Sequence, residues 1–600
     1  MDNLVFEEAV NAEIDTSEFI SKKWLYVNDS NSQNYTSQVV IDSTPLANSG
    51  GWINWSEGYI VMPLVVELKA LAGGASIPAT NAGLQDVAHS WAFKAGFWHM
   101  INSMTLEFNN QNCVQQTPFL NVFRSFKAHT SFSQDDLLNE GSTIGYYPDT
   151  AGSWSFVATG TANTNALVAN GYGLCNNKQV PVLSSQSPVA GASITTNTPI
   201  YQSTGFAGVS TGTGANGATN PSVYVGVEEA YNAGIAKRSQ WFGYSNNANA
   251  LGQTSINDQT TSNAVYRSSS LAQAGAGSAG WQIYAKLRLK DLSDFFQKCP
   301  LLKGSTIRFY LNTNQTSLTF TTTAGTIDAN GVPTAYPTIT IDSVSVLGGL
   351  TCPLMIPSAD VGSGLAPLTA GQYGLNLNIY KTSDGLYQTG LQSCRLYAPV
   401  YKMNPLAEQR YLQLAPTKKV EYRDIFQYQF NDIAGNSTSF NILVSNGIAN
   451  IQSVLVVPFL TAGANTTSYN TLLSPTSTSG ATPDPITLTN FNIQISGVNL
   501  FLNNEYYDYE QFNQELKSSN QLNGSLTTGL ASGLISEDMF SRGYRYYYGN
   551  ASRILPSEEG VSRSVQIMGQ NASKVACNLM VFVEFKRSIT IDIATGARIE

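Results

Sequence analysis

Apolar and polar residues alternate strictly over residues 281–290, where Ile283, Ala285, Leu287 and Leu289 are set against Tyr284, Lys286, Arg288 and Lys290. That two-residue period predicts a half-buried strand. The period then lengthens. Leu292, Phe295 and Phe296 fall at helical spacing behind Asp291, predicting a two-turn amphipathic helix with Asp291 as its cap. Pro300 closes the helix, Gly304 turns the chain, and Ile307, Phe309 and Leu311 open a second alternating strand. Residues 58–68 and 99–108 also read as strands, the second ending at the turn-forming pair Asn109-Asn110. Residues 117–127 read as a helix, with Pro118 near its start and Phe119, Val122, Phe123 and Phe126 on one face. Further along, strands are expected at 491–502, 564–568 and 578–585, and helices at 509–516 and 535–540.

Between these periodic segments lie two loosened tracts rich in Gly, Ser, Thr and Asn, at about 140–280 and 461–485. Loops of that length inside compact domains are functional or exposed insertions. Each half of the chain thus carries a β framework, a polar insertion and a helix-bearing segment after it. Gly348-Gly349, Pro353, Pro357 and Pro367 suggest a linker, which places a boundary near Thr351 and divides the chain into 25–350 and 351–600. Ahead of them, residues 1–24 form an acidic amphipathic arm, with Leu4, Val5 and Ala9 among Glu7, Glu8 and Glu13. An isolated helix this short is marginal in water, so the arm is expected to order only against a neighbouring copy or an internal partner.

Composition narrows the class. Six hundred residues exceed one ordinary core. Charged residues are only 12%, while 30 Tyr and 26 Phe make the chain aromatic; disorder needs the opposite balance. A soluble monomer so poor in charge is an aggregation hazard, which points to surfaces covered by other copies. The 41 acidic and 32 basic residues, with no cationic run beyond pairs such as Lys22-Lys23, exclude a phosphate-tracking surface and with it sequence-specific nucleic-acid binding. The six cysteines show no C-x-x-C pair and no signal peptide precedes them, so free thiols from a reducing cytoplasm are expected. No apolar run approaches the ~18 residues of a membrane helix.

Catalytic patterns occur and fail on context. Gly208-Val209-Ser210-Thr211-Gly212 matches a hydrolase elbow, but His89, His99 and His129 all lie upstream, where that fold's base does not. Gly212-x-Gly214-x-x-Gly217 and Gly275-x-Gly277-x-x-Gly280 match a dinucleotide fingerprint, yet neither launches the helix whose N–H groups hold a pyrophosphate. No catalytic, cofactor or metal site is assigned. The clusters Tyr506-Tyr507 and Tyr546-Tyr547-Tyr548 suit either a sugar-stacking platform or a protein interface; the flat ring with a polar tip favours the interface. Leu4, Val5, Ala9, Tyr506, Tyr507, Tyr546, Tyr547 and Tyr548 are therefore the candidate contact residues.

The strand–helix–strand passage at 281–312, with Phe295-Phe296, Pro300 and Gly304, resembles a passage late in the first jelly roll of double jelly-roll major capsid proteins, those of virophages and Polinton-like viruses above all. Residues 101–127 and 394–422 are similar to passages early in the first roll and at the opening of the second. The resemblance implies an all-β chain of two consecutive eight-stranded antiparallel jelly rolls with long insertions, no enzyme activity and no cofactor. It also implies homotrimeric, pseudo-hexagonal capsomers that build an icosahedral virion shell, with penton and minor capsid proteins as further partners and contact with an internal membrane as an open possibility. The rival classes are a jelly-roll lectin or glycan-cleaving enzyme and an attachment fibre or spike; visible repeats, which a fibre would carry, are missing.

Overall fold

The computed structural model describes residues 18–71, 90–148, 278–323, 338–349, 351–355, 371–380, 391–414, 416–460, 486–502, 507–519, 533–542, 544–552, 559–573, 576–593 and 595–598, and short pieces between 210 and 270 and between 326 and 335. Residues 1–17, the whole 461–485 tract and most of 149–277 lie outside the described residues.

Eight strands frame the first half: β1 (Phe19–Asn28), β2 (Gln38–Asp42), β3 (Tyr59–Ala70), β4 (Ile101–Phe108), β5 (Gln111–Val114), β6 (Ser278–Arg288), β7 (Ile307–Thr313) and β8 (Arg395–Met403). They pair as β1-β8-β3-β6 in one sheet and β2-β7-β4-β5 in the other, every pairing antiparallel. The second half supplies β9 (Thr417–Ile433), β10 (Thr438–Ala449), β11 (Ile451–Leu460), β12 (Leu488–Ile495), β13 (Val498–Asn499), β14 (Tyr547–Asn550), β15 (Ser562–Asn571) and β16 (Cys577–Asp592). These pair as β9-β16-β11-β14 and β10-β15-β12-β13. Counting from the start of each half, both orders are 1-8-3-6 and 2-7-4-5. That is the wiring of a jelly roll, two sheets face to face through nested Greek keys. The fold is all-β with short helices, two jelly rolls in series.

Alternation explains the layers. Ile307, Phe309 and Leu311 of β7 are buried while Arg308, Tyr310 and Asn312 are not, and Ile283, Ala285 and Leu287 of β6 follow suit. Asn109 and Asn110 both take positive φ, +48° and +63°, between β4 and β5, the backbone that a tight two-residue hairpin requires. Ser496 and Gly497, with φ +51° and +81°, do the same between β12 and β13. The single strand expected at 491–502 is thus a hairpin.

Helices sit at matching places in the two rolls. Between the fifth and sixth strands of the first lie α1 (Leu120–Ser131) and α2 (Gln134–Ile144), and α3 (Leu289–Leu292) and α4 (Asp294–Lys298) follow β6. α5 (Pro405–Leu414) joins the rolls, and α6 (Tyr509–Ser518) and α7 (Glu537–Arg542) occupy the fifth-to-sixth connection of the second. The expected cap on α4 moves. Ser293, extended at φ −152°, accepts the Phe295 N–H at 3.3 Å, while the Asp291 carboxylate pairs with Arg288. Asp135 and Asp136 belong to the first turn of α2, where Ser133 and Asp136 form a reciprocal capping box.

Two boundaries shift from the sequence reading. Residues 19–24, expected in the arm, are strand: Leu25 and Val27 turn inward and the backbone pairs with β8 from Phe19↔Met403 to Asn28↔Arg395. The boundary near Thr351 falls inside the first roll, because Gly371–Ile379 and β8 both pair with β3 on the edge opposite β6. Residues 395–403, expected at the opening of the second roll, are the first roll's last strand. Gln315–Thr323 and Thr338–Leu347 extend the same sheet, and within the Gly- and Pro-rich stretch Leu354 and Met355 pair with Phe93 and Ala92, while Pro357 and Pro367 lie outside the described residues. The rolls part at α5.

Candidate functional site: the seam between the rolls

The second roll's β9-β16-β11-β14 sheet is buried on both faces. Val454, Val456, Leu579, Val581 and Val583 fill the second sandwich, whereas Leu455, Val457, Phe459, Met580 and Phe582 join the core of the first roll. The unbroken burial of Cys577–Glu584 follows, since neighbouring residues on a strand point to opposite faces and both faces are covered.

The cover is α1, with Phe119 at its N-terminal cap and Val122, Phe123 and Phe126 along it, all buried. The Phe123 ring lies 5.5 Å from Phe582, and Phe126 lies 5.1 Å from Tyr546 and 5.7 Å from Tyr548. His129 stands edge-on to Tyr544 at 4.3 Å and within 3.2 Å of the Tyr546 hydroxyl. Burial drives the His129 pKa down to about 3, so the ring is neutral.

Charge is threaded through the same seam. Glu584, 3% exposed, lies 2.8 Å from Lys127 Nζ of α1 and 3.8 Å from Arg423 Nη1, and Ser453 Oγ donates to it. Burial by itself would raise its pKa; the Lys127 and Arg423 charges with the hydrogen bonds from Lys127 and Ser453 outweigh that and hold it at about 2. The Arg423 N–H donates to Asp294 Oδ2 at 3.0 Å, and Thr117 Oγ1 donates to the Ile425 carbonyl at 2.7 Å. Arg587 pairs with buried Asp424 at 3.1 Å and reaches the Asn112 carbonyl at 3.0 Å. Arg124, Lys127, Asp291, Asp294, Arg423 and Glu584 line a cleft of about 430 Å³. Asp291 pairs with Arg288, Asp294 accepts the Arg423 N–H and Glu584 pairs with Lys127 and Arg423, an arrangement that ties two bodies together.

The tyrosine candidates divide. Tyr546 and Tyr548 point into the seam and Tyr547 into the second sandwich, each at most 2% exposed. Within the single chain these three side chains are taken up by its own core and are not left on the surface, because a strand end covered on both faces buries residues pointing either way. Tyr507 is half-buried; its hydroxyl donates to the Tyr548 carbonyl at 2.6 Å and accepts the Tyr548 N–H at 2.8 Å. Tyr506, Leu4, Val5 and Ala9 lie outside the described residues. Sequence reasoning missed Lys127, Arg423 and Glu584. A signal existed, since Glu584 interrupts the apolar run 579–585 and Lys127 sits inside an aromatic helix.

Other motifs resolve as structure. Ser210–Thr213 pairs with Thr219–Ser222 as a hairpin, where a hydrolase elbow would launch a helix. Cys113, Cys299, Cys352, Cys394 and Cys577 are free and buried, and burial pushes the Cys113 and Cys577 thiols up to about 12. Among the described residues no group of His, Cys, Asp and Glu could hold a metal, and no helix is long and apolar enough to cross a membrane.

Two rolls of identical wiring fused through a common core make this a double jelly-roll protein. Solved structures similar to it include the Sputnik virophage (TM-score 0.45, 10% identity, covering 97% of this chain and 88% of that one). Others are the major capsid proteins of mavirus (0.39, 10%, 96% and 89%) and of Faustovirus (0.39, 10%, 95% and 90%). No family model and no curated protein matches the chain. The fold assignment rests on the strand order.

Proposed function

We propose that the chain is the major capsid protein of an icosahedral virus, a shell subunit that acts by self-assembly. The observation that carries this reading is the pair of identically wired rolls locked by a shared core into one rigid block. Three such blocks supply six similar units, the number a pseudo-hexagonal capsomer needs. Low charge and an aromatic-rich composition suit a protein whose outer surfaces are covered by copies of itself. The polar tracts at about 140–280 and 461–485 then form the outward face, and the arm, with Leu4, Val5 and Ala9, reaches a neighbouring capsomer or an internal partner. Penton and minor capsid proteins complete the shell, and synthesis in the host cytoplasm fits the free thiols.

Light scattering and electron microscopy of the purified chain test this. Particles of three times 64.6 kDa that build shells are expected, and deleting residues 2–17 is expected to leave the trimers intact while blocking shells. A chain that stays monomeric across salt and pH overturns the reading.

A further inference from the structure

Positive charge outnumbers negative in the cleft along the seam. Its walls are α1, the α3–α4 pair, and strands β9 and β16 of the second roll, with Ile425 and Glu584 buried between them. Five cations line it, Arg124, Lys127, Lys290, Lys298 and Arg423, against three carboxylates, Asp291, Asp294 and Glu584. Two positive charges are therefore in excess. At about 430 Å³ the cleft has the size of a small-molecule site.

The three carboxylates are already engaged. Asp291 pairs with Arg288, Asp294 accepts the Arg423 backbone N–H at 3.0 Å, and Glu584 is shared by Lys127 and Arg423. None of these contacts involves Arg124, Lys290 or Lys298. Lys298, at the C-terminal end of α4, is exposed.

Arg124 carries the argument furthest. Its guanidinium lies over the Phe123 ring at 5.6 Å, and its Nε–H is buried without an acceptor. A buried donor in a folded protein is ordinarily met by protein, water or an ion. Water could take this hydrogen bond but would leave the surplus charge uncompensated, which is costly away from bulk solvent. An anion answers both needs. The planar guanidinium fork matches the oxygens of a phosphate, and lysine ammonium groups add point charges around it. An excess of two charges selects a dianion over a single carboxylate.

We propose that this cleft binds a compact phosphate compound carrying at least two negative charges, held by Arg124 with Lys290 and Lys298. Bound there, it touches helices of the first roll and strands of the second, and so braces the seam within one chain. The site is independent of how copies of the chain associate.

Pyrophosphate is the probe, titrated calorimetrically into the full chain at an ionic strength fixed with sodium chloride. One site per chain is expected. The urea midpoint is expected to rise with added pyrophosphate, because a ligand that binds only the folded chain stabilises it by mass action. Arg124→Met is expected to weaken binding by about tenfold or more. Lys298→Glu tests the same site from an exposed position, without disturbing the core, and is expected to weaken binding about fivefold. Lys23→Glu, exposed on β1 and outside the cleft, is expected to bind as the native chain does. A native chain that takes up no pyrophosphate overturns the proposal. So does binding that Arg124→Met and Lys298→Glu leave unchanged, or that Lys23→Glu weakens as much as they do.

Discussion

Glu584 shows how one residue can hold two bodies together. Lys127 and Arg423 reach it from opposite rolls, and its carboxylate is nearly solvent-free. Removing one partner of a buried pair costs more than the pair contributes, because the remaining charge stays desolvated. Lys127→Met is expected to destabilise the chain by about 3 kcal/mol, read as a lowered urea midpoint, with Glu584→Gln in the same chain restoring much of the loss. The pH dependence has a definite sign. The Glu584 pKa falls from its usual 4.5 to about 2 on folding, so its contribution is complete above 4.5 and disappears as pH falls toward 2. Native unfolding followed between pH 5 and 2 should steepen relative to Glu584→Gln.

At the scale of elements, α1 is the wedge on which the assembly of the chain depends. Its aromatic face was legible from spacing alone, and the structure buries every member of that face. What it packs against was not legible, because a 3.6-residue stripe says that a face is covered and not by what. Phe126 touches Tyr546 and Tyr548 across the seam, so Phe126→Ala is expected to cost about 3–5 kcal/mol. The Phe126 ring meets the Tyr546 and Tyr548 rings, so near-ultraviolet dichroism should report loosening at the seam tyrosines before the far-ultraviolet strand signal falls. Equal loss of both signals would mean that α1 serves the first roll's core and not the seam.

For the whole molecule, the division at α5 and the doubly covered β9-β16-β11-β14 sheet predict a single cooperative unit. A fragment beginning at 351 carries Gly371–Ile379 and β8 without their partner β3, and strips the first roll of both. A fragment beginning at 404 keeps all eight strands of its roll but bares Tyr422, Leu455, Met580, Phe582 and Tyr546 to water. Both are expected to aggregate, whereas residues 1–403 and 404–600 produced together should associate and elute as one species. Calorimetry of the intact chain should show one transition. Two well-separated transitions would mean that the seam is a docking contact and not a core.

The sequence by itself determined the all-β class, the strands β3, β4, β6, β7, β15 and β16, the helices α1, α6 and α7, and the aromatic face of α1. Those properties are written in periods of two and 3.6 residues and in turn-forming pairs such as Asn109-Asn110, which act over a few neighbours. The tertiary structure alone decided the rest. It put Gly371–Ile379 and β8 beside β3, some three hundred residues earlier in the chain, and so moved the boundary from Thr351 to α5. It also turned Tyr546 and Tyr548 inward and gathered Lys127, Arg423 and Glu584 across the seam. Strand pairing and burial on a second face depend on partners remote in sequence, and a local pattern of polar and apolar residues carries no record of which partner arrives.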